Sequence, residues 1–248
     1  MIRLINGTPE LERALGDKAD IYTEKIRSFA GAYGFGYDFC RFWVQDDGSA
    51  VICGYYDDAV AVRTGGMDDE EAEELSAFLS GGFFRHILMP YPLSERTGLD
   101  GRAEKVCQMC GKNGVKSSVE TAKEQIKTDV PLGKIYEIAA RGFDIDRDKW
   151  YTDTSHILRH GTAAVYMLED AACAVRMYSS RGMTYLSYVT VLPERRGEGL
   201  AVRLLHGICE KEAAEGCRTY VFCTDKLRGL YERAGFCCVG YAADMTVF

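Results

Sequence analysis

The sequence predicts an α/β fold in which a mixed, mostly antiparallel sheet is flanked by helices. Runs rich in β-branched and aromatic residues alternate with amphipathic segments at helical spacing. Several strand-like runs are joined in pairs by short polar turns, which is typical of antiparallel hairpins. The order hairpin, strand, glycines, helix and strand occurs in both halves of the 248 residues. This order indicates an internal duplication, and chance similarity of two α/β segments is the alternative.

The composition excludes several classes of function. A net charge of −7 without a Lys/Arg-rich run argues against nucleic-acid binding. No apolar run approaches the ~18 residues that span a membrane, and the segment from Met1 to Gly7 turns polar too early for a signal peptide. We therefore expect a cytoplasmic protein that binds no membrane. Its ten cysteines are then expected to be reduced thiols, most of them in the core.

The amino-terminal half carries the more weakly patterned copy. Its hairpin turns at Asp46-Asp47-Gly48, and Gly65 and Gly66 precede its second helix. The predicted elements are a helix over 22–32, strands over 39–45, 50–56 and 59–63, a helix over 69–79 and a strand over 84–89.

A polar segment dotted with glycines, from Gly98 to Lys127, separates the two copies. It shows little periodicity, which is typical of a connection between domains. We therefore predict a smaller α/β domain over residues 1–118 and a second domain over residues 119–248.

The carboxyl-terminal half shows the same order with clearer boundaries. Its hairpin turns at Glu169-Asp170, and its long amphipathic helix ends at Gly216. The predicted elements are helices over 132–143 and 149–160, strands over 162–168, 171–178 and 183–192, a helix over 201–214, a strand over 218–223, a helix over 227–234 and strand-like residues to 248.

A glycine turn joins the strand over 183–192 to the helix over 201–214, and it reads P-E-R-R-G-E-G-L-A. Gly197 and Gly199 have no Cβ, so an anion can approach the backbone closely. The N–H groups of Gly197, Gly199 and Ala201 stand at a helix N-terminus, which favours anion binding. The alternative is that the glycines serve only the geometry of the turn.

Two motifs in this half resemble the GNAT superfamily of N-acetyltransferases. The segment R-G-E-G-L-A over 196–201 matches the superfamily pattern Arg/Gln-x-x-Gly-x-Gly/Ala. The segment L-Y-E-R-A-G-F over 230–236 matches the second pattern, Leu-Tyr-x-x-x-Gly-Phe. The resemblance covers about residues 130–248 and implies a GNAT sheet flanked by helices. The amino-terminal half would then be a degenerate GNAT-like copy.

The resemblance implies an acyltransferase that uses acetyl-CoA as its cosubstrate and needs no metal. In the family, a splay in the fourth strand of the sheet, here the strand over 183–192, would free backbone groups to hold the pantetheine arm and polarise the thioester carbonyl. Arg196 would add a charge-assisted contact, and Thr224 stands where the family often has an asparagine. The implied cofactor-binding residues are Val189, Thr190, Val191, Arg196, Gly197, Glu198, Gly199, Leu200, Ala201 and Thr224.

The resemblance further implies direct attack of a primary amine on the thioester. Tyr231 occupies the position of a tyrosine that protonates the departing thiolate in many members, and packing at a helix face is the alternative. In the family, a glutamate on the fourth or fifth strand often serves as the base. The corresponding strands here, over 183–192 and 218–223, contain no glutamate. Asp225, Glu169 and Glu194 are the remaining carboxylates, and we assign the role to none of them.

The expected acceptor is a primary amine on a small molecule or on a protein. By analogy with the family, Tyr151 and Tyr185 are candidate acceptor-binding residues, and packing of a helix on the sheet would explain them equally well. A catalytically silent acyl-CoA-binding or sensing module is the alternative function. The missing strand glutamate and Thr224 keep that alternative open.

The amino-terminal copy lacks the cofactor motif. After Gly65 and Gly66 the chain enters Asp68-Asp69-Glu70-Glu71, whose charges would repel a pyrophosphate. We therefore expect this half to bind no coenzyme A and to shape the acceptor site instead. Because such a fusion replaces a dimer contact, we expect a monomer that forms an intramolecular pseudo-dimer.

Two residue pairs could together supply four zinc ligands, namely Cys107 with Cys110 and His156 with His160. The gap of roughly 45 residues between the pairs is far longer than the spacing of zinc fingers. We therefore expect structural thiols and no metal site.

Overall fold

The computed structural model of the protein describes residues 1–45, 48–99, 101–111 and 122–247. The chain forms two compact units. The first contains Met1–Val106 together with the chain from Tyr241 onward, and the second contains Cys107–Gly240. The domain division predicted between residues 118 and 119 lies outside the described residues.

The first unit is a mixed sheet with four helices in its described part. Its elements are β1 (Ile2–Leu4), α1 (Thr8–Leu15), α2 (Ile21–Tyr33), β2 (Cys40–Gln45), β3 (Ala50–Tyr55), β4 (Asp58–Arg63), α3 (Asp69–Leu79), β5 (His86–Pro90), α4 (Tyr91–Thr97) and the end of β11 (Phe236–Thr246). The strands follow the order β1-β2-β3-β4-β5-β11. Neighbouring strands are antiparallel except β4 and β5, which are parallel.

Local sequence signals explain where the helices of this unit begin. The carboxylate of Asp20 accepts hydrogen bonds from the N–H groups of Tyr22 and Thr23, at 3.0 and 2.9 Å. Asp68 and Glu71 form a reciprocal capping box at the start of α3, at 2.9 and 2.8 Å. Both helices therefore begin with acidic caps that satisfy N–H groups of the first turn.

The second unit is also a mixed sheet. Its elements are the second half of β6 (Arg102–Gly111), α5 (Ala122–Gln125), α6 (Leu132–Ala139), α7 (Arg147–Arg159), β7 (Ala164–Leu168), β8 (Ala172–Ser180), β9 (Met183–Val191), a 3-10 turn (Pro193–Arg195), α8 (Leu200–Ala214), β10 (Arg218–Cys223), α9 (Asp225–Arg233) and the start of β11. Its strands follow the order β6-β10-β9-β8-β7. The β9–β10 pair is parallel, and the other pairs are antiparallel.

Apolar residues lie on both faces of this second sheet. Val165 and Met167 of β7 belong to a core with Trp150 and other residues of α6 and α7. Tyr166 and Leu168 belong to the core that contains α8 and α9. This alternation follows from the two-residue period of side chains along a strand, so the sheet is covered by helices on both faces.

A buried carboxylate lies in the α8 core. Glu212 is 1% exposed and accepts hydrogen bonds from Thr184 at 2.6 Å, from Arg176 at 3.2 Å and from the Tyr166 hydroxyl. Burial, and then this bond to Glu212, raises the pKa of Tyr166 well above its usual value. The Arg176–Glu212 ion pair joins β8 to the carboxyl-terminal part of α8.

The predicted α/β fold, with mostly antiparallel strands flanked by helices, is confirmed. One departure is β6, which lies inside the polar segment predicted as a connection. Its first residues are exposed and include Arg102, Glu104 and Lys105, so the strand shows no continuous apolar run. The sequence patterns also predict none of the short elements β1, α1 and α4. Within the described ranges, no helix is long and apolar enough to cross a bilayer.

Candidate functional site

The parallel pairing of β9 and β10 is short. It joins Arg218, Thr219 and Tyr220 to Met183, Thr184 and Tyr185. Beyond these three residue pairs the two strands have no further pairing in the described residues. On the side that faces β10, the second half of β9, which includes the predicted Val189, Thr190 and Val191, therefore has no strand partner among the described residues.

A bulge lies in the same part of β9. Cys173 pairs with Thr190 and Val175 with Ser187, so Tyr188 and Val189 together face a single residue of β8. Tyr188 has φ 53°, a conformation that costs a bulky residue energy. Its ring is held edge to face against Phe143 and Trp150, at centroid distances of 5.2 and 6.0 Å. The bulge changes the direction of the strand just before Val189.

Thr190 pairs with Cys173 of β8. Its side chain lies against the turn at Gly142, where an added Cβ would be 2.9 Å from Thr190 Oγ1. Thr190 is 5% exposed, and its hydroxyl is buried without a hydrogen-bond partner among the described residues. A side-chain role at the free edge of β9 is therefore not supported.

The glycine turn has the open geometry that the sequence predicts. Gly197 and Gly199 adopt φ 90° and 76°, and a Cβ added to either would meet no atom of a non-adjacent described residue within 4 Å. Gly199 is the N-cap of α8 and no side chain caps that helix. The backbone N–H groups of Gly197, Gly199 and Ala201 have no acceptor among the described residues. The turn thus presents free donors and empty space at a helix N-terminus.

Charged side chains surround the glycine turn. Arg195 makes a bidentate contact with Glu198, from Nε at 2.8 Å and from Nη2 at 2.7 Å, and bonds Glu169 at 2.9 Å. The pKa of Glu169 is lowered by its hydrogen bonds to Arg203 and Arg195, and that of Glu198 by its bond to Arg195. Arg195 therefore offsets the carboxylate of Glu198 beside a turn that is suited to anions.

Arg196 is exposed, and its Nε donates a 3.3 Å hydrogen bond to the carbonyl of Val191. No carboxylate in the described part of the chain pairs with its guanidinium. Its charge is therefore available beside the free donors of the turn.

Tyr231 lies in the core beneath α9. It is 6% exposed, and its ring meets Phe236 edge to face at 5.7 Å. Burial raises the pKa of Tyr231 above its usual range, and Cys223 and Tyr185 add smaller effects in the same direction. The hydroxyl makes no hydrogen bond to any described residue. Tyr231 therefore carries its proton at neutral pH and keeps its donor free.

Thr224 and Asp225 lie at the junction between β10 and α9. Thr224 is the N-cap of α9, and its hydroxyl makes no capping bond. The Asp225 carboxylate accepts a 3.3 Å hydrogen bond from the Cys107 thiol. Burial, followed by this bond, raises the pKa of Cys107 to about 12, which makes it a poor nucleophile.

The two predicted acceptor-binding tyrosines lie in different aromatic groups. Tyr185 stacks on Tyr178 at 5.4 Å and approaches Phe222 at 5.6 Å. Tyr151 meets Trp150 at 5.9 Å, on the side of α6 and α7. Acceptor binding by either residue stays a prediction.

Sequence reasoning missed two features of the site. The positive φ of Tyr188 has no local signal, because bulky residues rarely adopt that conformation. The motif indicates Arg196 and not Arg195 as a site residue. The three-residue spacing between Arg195 and Glu198 is nevertheless a recognisable pairing distance. In the described ranges, no group of three or more His, Cys, Asp or Glu residues is arranged to hold a metal ion.

Comparison with protein families identifies the second unit. Residues 134–236 match the acetyltransferase (GNAT) family. The carboxyl-terminal half contains a GNAT acetyltransferase domain. The matched segment runs from α6 to the first residue of β11, so it includes the bulge, the glycine turn and Tyr231. This match supports a general acetyltransferase function, and it confirms the resemblance seen in the sequence.

Solved structures extend the likeness to the whole chain. A GCN5-related N-acetyltransferase from Kribbella flavida is 14% identical, with 94% of this chain and 96% of that chain covered and a TM-score of 0.64. One from Sphaerobacter thermophilus is 15% identical, with coverage of 98% and 94% and a TM-score of 0.60. These alignments span both units, so the fold of the amino-terminal unit also occurs in GNAT structures.

A tandem GNAT protein from the clavulanic acid biosynthesis pathway is 12% identical, with coverage of 89% and 86% and a TM-score of 0.51. A search of curated proteins gave no match.

Proposed function

We propose that the protein is an acetyl-CoA-dependent N-acetyltransferase that acts on a primary amine of a small molecule or of a protein. One observation carries the proposal. The pairing of β9 and β10 ends after three residue pairs, and β9 then leads into an uncapped glycine turn. A free strand edge followed by free helix N-terminal donors suits a long ligand with amide groups and a diphosphate.

The residues present fit coenzyme A. The open space beside Gly197 and Gly199 would admit the diphosphate, and the N–H groups of the turn would donate to it. Arg196 would add a charge-assisted contact. The free edge of β9 over residues 189–191 would pair with the amide groups of the pantetheine arm. When bound, acetyl-CoA supplies an activated acetyl group as a thioester.

The protein groups then act on the transfer. A backbone N–H at the bulge would stabilise negative charge on the carbonyl oxygen, as in an oxyanion hole. Tyr231 would donate its proton to the departing sulfur, and its raised pKa keeps that proton available at neutral pH. Glu169 is a poor candidate for the base, because its hydrogen bonds from Arg203 and Arg195 lower its pKa.

The test is the steady-state rate of thiol release with acetyl-CoA and a panel of primary amines. Tyr231→Phe should lower kcat by about 10²–10⁴-fold, since it removes a general acid, while KM for acetyl-CoA changes little. Tyr241→Phe, an exposed tyrosine of the first unit, is the matched control.

Each other outcome has a distinct meaning. An unchanged kcat in Tyr231→Phe would remove the role of that hydroxyl. Tight binding of acetyl-CoA without turnover on any amine would favour a silent acyl-CoA-binding module instead.

A further inference from the structure

The amino-terminal unit contains a cavity of about 350 Å³. Its charged lining comes from Lys18, Arg63 and Arg96, and its apolar lining from Pro90, Pro92 and Leu93. The volume lies within the usual range for small-molecule sites, about 300–1,000 Å³.

The cavity lies where β4 and β5 separate. These parallel strands pair only through Asp58 with His86, Ala59 with Ile87, and Val60 with Leu88. Arg63 and Pro90, at the carboxyl ends of the two strands, lie beyond this pairing and line the cavity. The second unit has the same arrangement in β9 and β10, whose parallel pairing also ends after three residue pairs.

The cations of the cavity are not all neutralised. Lys18 lies 3.3 Å from Asp20, and Arg96 lies 3.0 Å from Asp69. Arg63 donates from Nε to the Gly65 carbonyl at 2.7 Å and has no carboxylate partner among the described residues. The lining therefore carries an excess positive charge, which favours an anion.

The start of α3, the helix that follows the cavity, is unsuited to a diphosphate bound in the way proposed for the glycine turn of the second unit. The capping box of Asp68 and Glu71 already occupies N–H groups at the start of α3. Asp69 and Glu70 add negative charge to the same turn. An anion in this cavity must therefore be held by the basic side chains, and a compact head group suits them better than coenzyme A.

We propose that this cavity is a second ligand site, which binds a small organic oxyanion. Its carboxylate or phosphate head contacts the guanidinium of Arg63, and Lys18 and Arg96 lie on the same lining. The short apolar body lies against Pro90, Pro92 and Leu93. This site is independent of acetyl transfer in the second unit.

The test is isothermal titration of the full-length protein with phenyl phosphate and with benzoate, and benzyl alcohol serves as the neutral control. Saturating coenzyme A is present throughout, to occupy the glycine turn. The two anions should bind and the alcohol should not. Arg63→Ala should weaken anion binding at least about tenfold, as expected for a charge-assisted contact.

Arg41→Ala is the matched control, because Arg41 is an exposed arginine of the same unit, paired with Asp38. It should leave anion affinity unchanged. If Arg63→Ala does not fold, Arg63→Gln removes the charge and keeps most of the side chain. Benzyl alcohol binding as well as benzoate, or equal anion affinity in the Arg63 and Arg41 variants, would overturn the proposal.

A further variant separates the two sites. If the anions lose affinity in Gly199→Leu and keep it in Arg63→Ala, they bind at the glycine turn, and the proposed cavity site is wrong.

Discussion

Replacing Gly199 by leucine should abolish the stabilisation of the protein by acetyl-CoA. Gly199 has φ 76°, and an added Cβ would have no atom of a non-adjacent described residue within 4 Å. A leucine side chain there would fill the volume in which the diphosphate is expected. The substitution also forces a left-handed residue, at a cost of about 1–2 kcal/mol.

The expected effect is large enough to measure by thermal unfolding. Acetyl-CoA at 100 times its Kd adds about 2.7 kcal/mol to the native state. With an unfolding entropy of about 2.1 cal/mol/K per residue, this shifts Tm by about 5 °C if the whole chain unfolds together. If the second unit unfolds by itself, the shift is about 10 °C, because the entropy scales with the number of residues.

Gly216→Leu is the control for strain. Gly216 follows the other end of α8 and has φ 77°, and an added Cβ there would also have no atom of a non-adjacent described residue within 4 Å. Both variants should therefore lower Tm by similar amounts without ligand. Only Gly199→Leu should lose the acetyl-CoA shift. An equal shift in both variants, or none in the wild type, would refute the assignment of the turn.

Three further outcomes are expected. Glu212→Ala should lower the free energy of unfolding by about 3–5 kcal/mol in chemical unfolding, because it removes the buried ion-pair partner of Arg176. Glu210 is a half-buried residue of the same helix, and Glu210→Ala should lower the free energy of unfolding far less. Thr190→Val should leave stability and the acetyl-CoA shift nearly unchanged, since it removes a hydroxyl without a partner. Because burial raises the pKa of Tyr231, its stabilising contribution is complete below about pH 10 and is lost as pH rises further. As the pH is raised above about 10, the Tm of Tyr231→Phe should therefore fall by less than the Tm of the wild type.

Local patterns predicted the parts of the molecule that depend on neighbouring residues. The hairpin turn at Glu169 and Asp170 is confirmed, and both residues adopt the positive φ of a tight turn. The glycine turn is also confirmed, because Gly197 and Gly199 take backbone conformations that glycine readily adopts. In each case the residue type and the required φ are directly linked.

Features that depend on distant residues could not be predicted in this way. The bulge at Tyr188 is held by Phe143 and Trp150, which are far away in the sequence. The basic cavity brings together Lys18, Arg63 and Arg96 from three separate segments. Neither arrangement leaves a periodic or compositional signal, since both arise from tertiary packing.

The path of β11 has a consequence for how the protein is made. Ala242 to Thr246 pair with β5 in the first unit, although the preceding residues of the strand belong to the second. During synthesis the second unit therefore leaves the ribosome complete before the first has received its last strand. Until then the edge of β5 is bare, and an unpaired edge is a surface on which other chains can aggregate. The amino-terminal unit, although synthesised first, therefore cannot complete its sheet until residues 242–246 have been made.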